Sequence, residues 1–404
     1  MTSNKSIVYW ASPYELMAFP NSAINMATNN LVKTKLILDK LLDNFINSGD
    51  KVGVKVHVGE AYNTRYLRHD YVREVVDAIK AKGGNPTLIE TQNLGMKIHP
   101  INLSEDYKIC VMRRKTTSEH QKTANLHGYS EAIIGAPIKF IDGEKGIDAK
   151  IVEIDGIHFK DVSVGTGLFE FDKMVVISHF KGHMQAGFGG AIKQLGIGCI
   201  AKLGKYRVHF NGDLSINIKR CNISKCAQEC IKACPVNAIK LEGEHAVIDP
   251  SACVGCTACL ESCPVKKAIN RIFNLDVKSV PERVCDNAIA VINSFGPEKI
   301  RYINFAFDVV AQCDCVATPS MPIIPDLGIF ASSDPVAIDK ACVDAEINAP
   351  GLPIMDKDGQ WKEPIPIGVE KFKAVNPIID TEWCFDAAVK NKLGNLDYEL
   401  VKIS

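Results

Sequence analysis

The chain has 404 residues, 46% hydrophobic and 23% charged, ordinary globular usage with room for two or three domains. Its 47 Lys plus Arg balance 47 Asp plus Glu, which argues against a sequence-independent grip on nucleic acid. No run reaches about 18 consecutive apolar residues, so no membrane-spanning helix is expected.

Met1–Pro20 lacks an uninterrupted apolar core, reads as mature protein and predicts a cytoplasmic location. Lys51–Val58 is rich in β-branched residues and predicts a buried strand, along which Lys55 and His57 alternate and share one face. Tyr71–Lys82 has helical spacing, Gly83-Gly84-Asn85 ends it, and Thr87–Glu90 predicts the next strand. Lys173–Ile177 predicts a further buried strand running into the glycine-rich stretch Ser178–Gly204. After a cysteine-dense region come a helix at Val284–Phe295 and strands at Tyr302–Val310 and Leu327–Phe330. Asp334 is a candidate N-cap before Pro335, opening a helix through about Ile347. Residues 351–381 predict an irregular excursion before a last helix at Cys384–Lys392. Strands alternating with helices predict an α/β body with a largely parallel sheet. That body spans 1–220 and 271–404 and is interrupted by a small α+β module at 221–270.

Eight of the 15 cysteines lie between Cys221 and Cys263. Dense cysteines in a cytoplasmic protein point to metal rather than to disulfides. Cys253-x2-Cys256-x2-Cys259-x3-Cys263-Pro264 is the bacterial ferredoxin spacing, in which the cysteine before proline serves the other cluster. The first half, Cys221-x4-Cys226-x3-Cys230-x3-Cys234-Pro235, keeps the ending with longer leading gaps. Cys234-Pro-Val-Asn-Ala-Ile239 and Cys263-Pro-Val-Lys-Lys-Ala-Ile269 form an internal repeat. Two 4Fe–4S clusters are expected, one on Cys221, Cys226, Cys230 and Cys263, the other on Cys253, Cys256, Cys259 and Cys234. Two zinc knuckles of four cysteines are the alternative.

In the body, His179-Phe-Lys181-Gly-His183 leads to Gly189-Gly190 and Lys193 after a strand, where α/β proteins bind ligands. Backbone N–H groups of such a loop suit an anion, with a metal pair and a structural turn as alternatives. The expected catalytic residues are His57, His179, His183 and Lys193, with Lys55, Lys181, Gly189 and Gly190 binding substrate. A structural salt bridge is the alternative for Lys55. Cys313 and Cys315 share one face of an extended segment and suit an extra ligand, a redox pair or core packing. Cys110, Cys199, Cys285, Cys342 and Cys384 are expected in the core.

Four stretches together resemble a domain-of-unknown-function family, number 362: Lys55–Glu60, Gly187–Cys199, Cys313–Cys315 and Asp326–Ala341. The resemblance implies this architecture with a ferredoxin-type insertion and iron–sulfur binding, and no settled reaction. The residues point to an iron–sulfur oxidoreductase of anaerobic metabolism, relaying electrons to or from a small anionic substrate in the body. The alternative is a non-catalytic electron-transfer or metallocofactor-assembly protein. A redox partner protein is compatible with both. No complete dinucleotide or P-loop fingerprint is present, and a flavin or an additional metal stays open.

Overall fold

Successive residues of a strand face opposite sides of its sheet. The strand Lys173–His179 buries Met174 and Val176 in one apolar cluster and Val175 and Ile177 in another. A strand buried on both sides needs helices on both sides, the usual setting of a parallel sheet. The computed structural model, which describes residues 5–14, 29–94, 101–102, 108–109, 114–273, 276–317, 319–356 and 358–403, has that arrangement. Cys110 and part of Met1–Pro20 lie outside the described residues.

Eight strands form the main sheet: β1 (Ser6–Ala11), β2 (Lys51–Lys55), β3 (Asn85–Glu90), β4 (Ile138–Phe140), β5 (Lys173–His179), β6 (Ile300–Ala306), β7 (Gly328–Ser332) and β8 (Tyr398–Lys402). Their order is β8-β1-β7-β6-β5-β2-β3-β4. All neighbours run parallel except β7, which is antiparallel to β1 and β6. Helices α1 (Asn30–Leu41) and α2 (His69–Ala81) cover one face. Val72, Val75, Val76 and Ile79 give α2 its buried stripe. The other face is covered by α3 (Ala191–Gly196), α4 (Ser279–Phe295), α5 (Pro335–Asn348) and α6 (Glu382–Lys390).

Most differences from the sequence reading are at element ends. Helix α4 begins five residues before Val284, because Pro281 is tolerated in a first turn. Strand β6 stops at Ala306, and Asp308 at φ +50° turns the chain away. Asp334 caps α5, its Oδ1 accepting from Val336 N (2.8 Å) and Ala337 N (3.1 Å). The 351–381 excursion holds a small hairpin (Ile354–Met355 with Trp361–Lys362) and a short helix (Lys371–Val375). The glycine-rich stretch is more regular than a loop: a hairpin of Lys181–His183 with Gly187–Gly189, then α3.

In the cysteine region, Phe210–Ile216 pairs antiparallel with Ile269–Phe273. Between them lie a hairpin (Ile239–Glu242 with His245–Ile248) and two short helices, Glu229–Ala233 and Ala258–Ser262. Gln228 (φ +60°) and Thr257 (φ +61°) precede the two helices, and Asn237 (φ +54°) and Lys267 (φ +61°) follow them. The repeat visible in the sequence is therefore also a repeat of backbone conformation.

Candidate functional site

Strands β2, β3, β5 and β6 run parallel, and the segments that follow them enclose a cavity of about 260 Å³. Ligands in open α/β sheets bind at this carboxyl edge. Of the expected site residues, His57, His179, Lys181, His183, Gly189, Gly190, Lys193 and Cys315 line the cavity. Lys55 and Cys313 do not.

Lys55 and His57 share a face as their alternation requires, and what they share is Glu90 at the end of β3. Lys55 Nζ donates to Glu90 Oε1 (2.9 Å), and His57 Nδ1 donates to Glu90 Oε2 (2.9 Å). Lys55 Nζ also donates to Gln194 Oε1 (3.0 Å) and Val56 O (2.6 Å), so its three protons are spent inside the protein. Instead of holding substrate, Lys55 fixes Glu90 in place. Burial opposes the Glu90 charge, but Lys55 and His57 outweigh it and hold the carboxyl well below its usual range. Burial, and then the Arg114 charge, lower the His57 pKa, so its ring is neutral at pH 7.

A second carboxylate organises the other wall. Asp314, between the two cysteines, lies 3.0 Å from His179 Nδ1 and accepts from Lys181 Nζ (2.7 Å). His179 Nε2 donates to Phe307 O (2.8 Å), so neither ring nitrogen remains for a substrate. His179 was expected to be catalytic; the structure makes it a holder of Asp314. Burial opposes the Asp314 charge too, and His179 and Lys181 overcome it and depress its pKa.

Asp314 fixes its neighbours. Cys313 Sγ accepts from Lys193 Nζ (3.5 Å) and from Cys315 N (3.3 Å). A hydrogen bond from the Cys315 thiol holds the Cys313 pKa well below the usual thiol value against burial, and Lys193 and His183 add to the effect. Cys315 keeps its proton. The ligand atoms of His183, Cys313 and Cys315 all lie within 4.8 Å of one another. His183 Nδ1, however, accepts from Ala186 N (2.9 Å) and Gln185 N (3.2 Å), which leaves the ring proton on Nε2 as a donor. His209 lines the same wall, and burial, with His183 and Lys193, pulls its pKa to about 4.

The glycine-rich segment already holds an anion, and it is the protein's own. Asp339 of α5 accepts from Ala191 N (2.7 Å) and Ile192 N (2.9 Å). A Cβ on Gly190 would lie 2.2 Å from Asp339 Oδ1, so only glycine admits that carboxylate. The expected anion-binding role of this backbone is thus filled by an internal carboxylate. Sequence reasoning missed Glu90, Asp314, Arg114 and Asp339. Asp314 and Asp339 carried a signal, the first from its place between the two cysteines of the Cys313–Cys315 motif and the second from its place within Asp326–Ala341.

The module cysteines fall into two groups. Cys234, Cys253, Cys256 and Cys259 line one small cavity of about 20 Å³ whose other walls are largely apolar. Cys230 has Cys263, Cys221 and Cys226 as electrostatic neighbours, which together with burial raise its thiol pKa. Burial pushes Cys259 up to about 12, helped by Cys256 and Cys253. Protonated thiols packed this closely suit iron, whose charge removes their protons. Cys199, Cys285, Cys342 and Cys384 are core residues, each at most 4% exposed.

The fold and site define an α/β protein with a ferredoxin-type module set against a cavity into which histidine, lysine and arginine residues are gathered. A family model described as "Domain of unknown function (DUF362)" matches residues 52–344, and the chain belongs to that family. It is 42% identical over 51 residues to a ferredoxin of Alicyclobacillus acidocaldarius subsp. acidocaldarius, covering 13% of this chain and 65% of that protein. It is also 42% identical over 60 residues to a tetrathionate reductase component of Archaeoglobus fulgidus, covering 14% of this chain and 28% of that protein. The chain thus spans less than two thirds of either relative. The lactate racemase apoprotein of Thermoanaerobacterium thermosaccharolyticum overlays at TM-score 0.37 and 10% identity, over 83% of this chain and 56% of that one. An overlay that loose carries no argument. No helix of the described residues is long and apolar enough to cross a membrane.

Proposed function

We propose that this protein is an iron–sulfur oxidoreductase whose module at 221–270 exchanges electrons with a small anionic substrate in the body cavity. One observation carries the reading. Leu94 and Phe210 line that cavity and also belong to the apolar cluster that contains Cys230 and Cys259. The module and the cavity therefore share a wall. Thr257 Oγ1 donates to Leu94 O (3.0 Å), and Lys115 pairs with Glu261 (2.8 Å), which ties the module to the body.

Cys234, Cys253, Cys256 and Cys259 would hold one 4Fe–4S cluster, and Cys221, Cys226, Cys230 and Cys263 the other. The clusters supply one-electron transfer. Lys193 draws an anion toward Cys315, the neutral ring of His57 keeps a lone pair on Nε2 that can accept a proton, and the Nε2–H of His183 can hydrogen-bond the bound anion. The test is anaerobic. The reduced, cluster-loaded protein is mixed with the small-molecule fraction of a cell extract, and cluster reoxidation is followed. Reoxidation lost in Lys193→Ala at unchanged iron content is expected. Equal reoxidation in both proteins would remove the cavity from the reaction, and zinc without sulfide would remove the clusters.

A second reading, metallocofactor assembly, is favoured by the close approach of His183, Cys313 and Cys315. It requires a divalent ion that survives desalting and is lost from Cys313→Ser. The two backbone donors on His183 Nδ1 count against it, since a metal-bound histidine normally donates from its other nitrogen.

A further inference from the structure

Arg114 is 3% exposed, lines the body cavity and has no role in the electron path described above. Its Nε donates to Glu60 Oε2 (3.2 Å), and Glu60 is held in turn by Ala61 N on Oε1 (3.0 Å). Glu60 N donates to Asp314 O (2.8 Å), so the same contacts fix the guanidinium and the cysteine segment. The two Nη groups have no acceptor among the described residues.

A buried guanidinium is expensive unless its donors are satisfied. Buried cations of this region have carboxylate partners, Lys55 with Glu90, Lys181 with Asp314 and Arg114 with Glu60, and the last contact uses only Nε. Arg114 lines the cavity, and with Nε taken by Glu60 the Nη1–Nη2 edge is the one left for a bound group. We infer that Arg114 anchors a substrate carboxylate, whose two coplanar oxygens match the Nη1–Nη2 edge.

A tetrahedral phosphate fits this corner less well. Its two further oxygens would need donors of their own, and the Cys315 thiol already donates to Cys313. A planar carboxylate leaves no oxygen over. The Cys313 thiolate acts on Arg114, and Cys315 and Lys193 line the cavity with it, so the remainder of the bound molecule lies against the Cys315–Lys193 wall.

The inference rests on the cavity being the substrate site, but its test needs no electron transfer. Oxidised, cluster-loaded protein is titrated calorimetrically with acetate, malonate and inorganic phosphate. A carboxylate is expected to bind, and Arg114→Lys, which keeps the charge and loses the fork, should weaken it by about tenfold to a hundredfold. Iron content and the visible spectrum should stay unchanged. Should Arg114→Lys fold poorly, Arg114→Gln with Glu60→Gln removes both buried charges together and should abolish the binding. Equal carboxylate affinity in wild type and variant overturns the inference. So does phosphate binding that depends on Arg114 while carboxylates fail, and so does binding by none of the three. Arg114-dependent carboxylate binding in a protein that never passes electrons would sink the oxidoreductase reading and leave this one standing.

Discussion

At the scale of single residues, the cavity depends on two buried carboxylates, each holding two cationic or imidazole groups. Glu90 holds Lys55 and His57, and Asp314 holds His179 and Lys181. Removing one partner of a buried pair strands the other charge, so Glu90→Gln should cost about 3–5 kcal/mol in denaturant unfolding. A much smaller loss would mean that Lys55 finds another acceptor. Asp314 makes a pH-dependent prediction. Its folded pKa lies below the ordinary 3.8, so its pairing contributes full stability above that value. The contribution is lost as pH falls through the folded pKa. The stability gap between wild type and Asp314→Asn should therefore stay constant above pH 3.8 and narrow only below it. A gap that narrows between neutral pH and that value would contradict the assigned direction.

At the scale of elements, the turn into α3 is locked by a carboxylate from α5. Gly190→Ala would push Asp339 off Ala191 N and Ile192 N, stranding a buried acid and two donors. A loss of about 1–3 kcal/mol per unsatisfied group is expected in thermal unfolding, with the iron–sulfur spectrum unchanged. The paired helices of the module make a different prediction. Cys234 lines the same small cavity as Cys253, Cys256 and Cys259. Cys234→Ser should therefore perturb the cluster held by the later half and spare the one held by Cys221, Cys226 and Cys230. Electron paramagnetic resonance of the reduced protein reads this directly, and damage confined to the earlier half would refute the crossed arrangement.

At the scale of the whole molecule, the sheet and the module differ in what holds them. Two large aliphatic and aromatic clusters cover the sheet. The module's cluster is small and includes Cys230 and Cys259, with Cys221, Cys234, Cys253 and Cys263 packed against it. Metal bonds to such thiols are folding free energy. Stripping the iron with a chelator should raise hydrogen exchange across 221–270 while β2, β5 and β6 stay protected. Uniform loss of protection would mean that the body also depends on the module. Much of this organisation was legible along the chain. The stripe of α2, the Asp334 cap, the shared face of Lys55 and His57 and the doubled Cys-Pro ending all arise from interactions within a few residues. The short-range pattern therefore determined the α/β class, the ferredoxin-type module and the carboxyl-edge location of the candidate loop. It could not show that Glu90 would meet Lys55, which needs β2 and β3 to pair in one register. Nor could it show that Asp339, 149 residues after Gly190, would occupy the glycine-rich turn, or that Arg114 would line a cavity with no acceptor for its Nη groups among the described residues. Strand order and helix packing decide those meetings, because a buried charge takes its partner from whichever segment the tertiary fold brings within hydrogen-bonding distance.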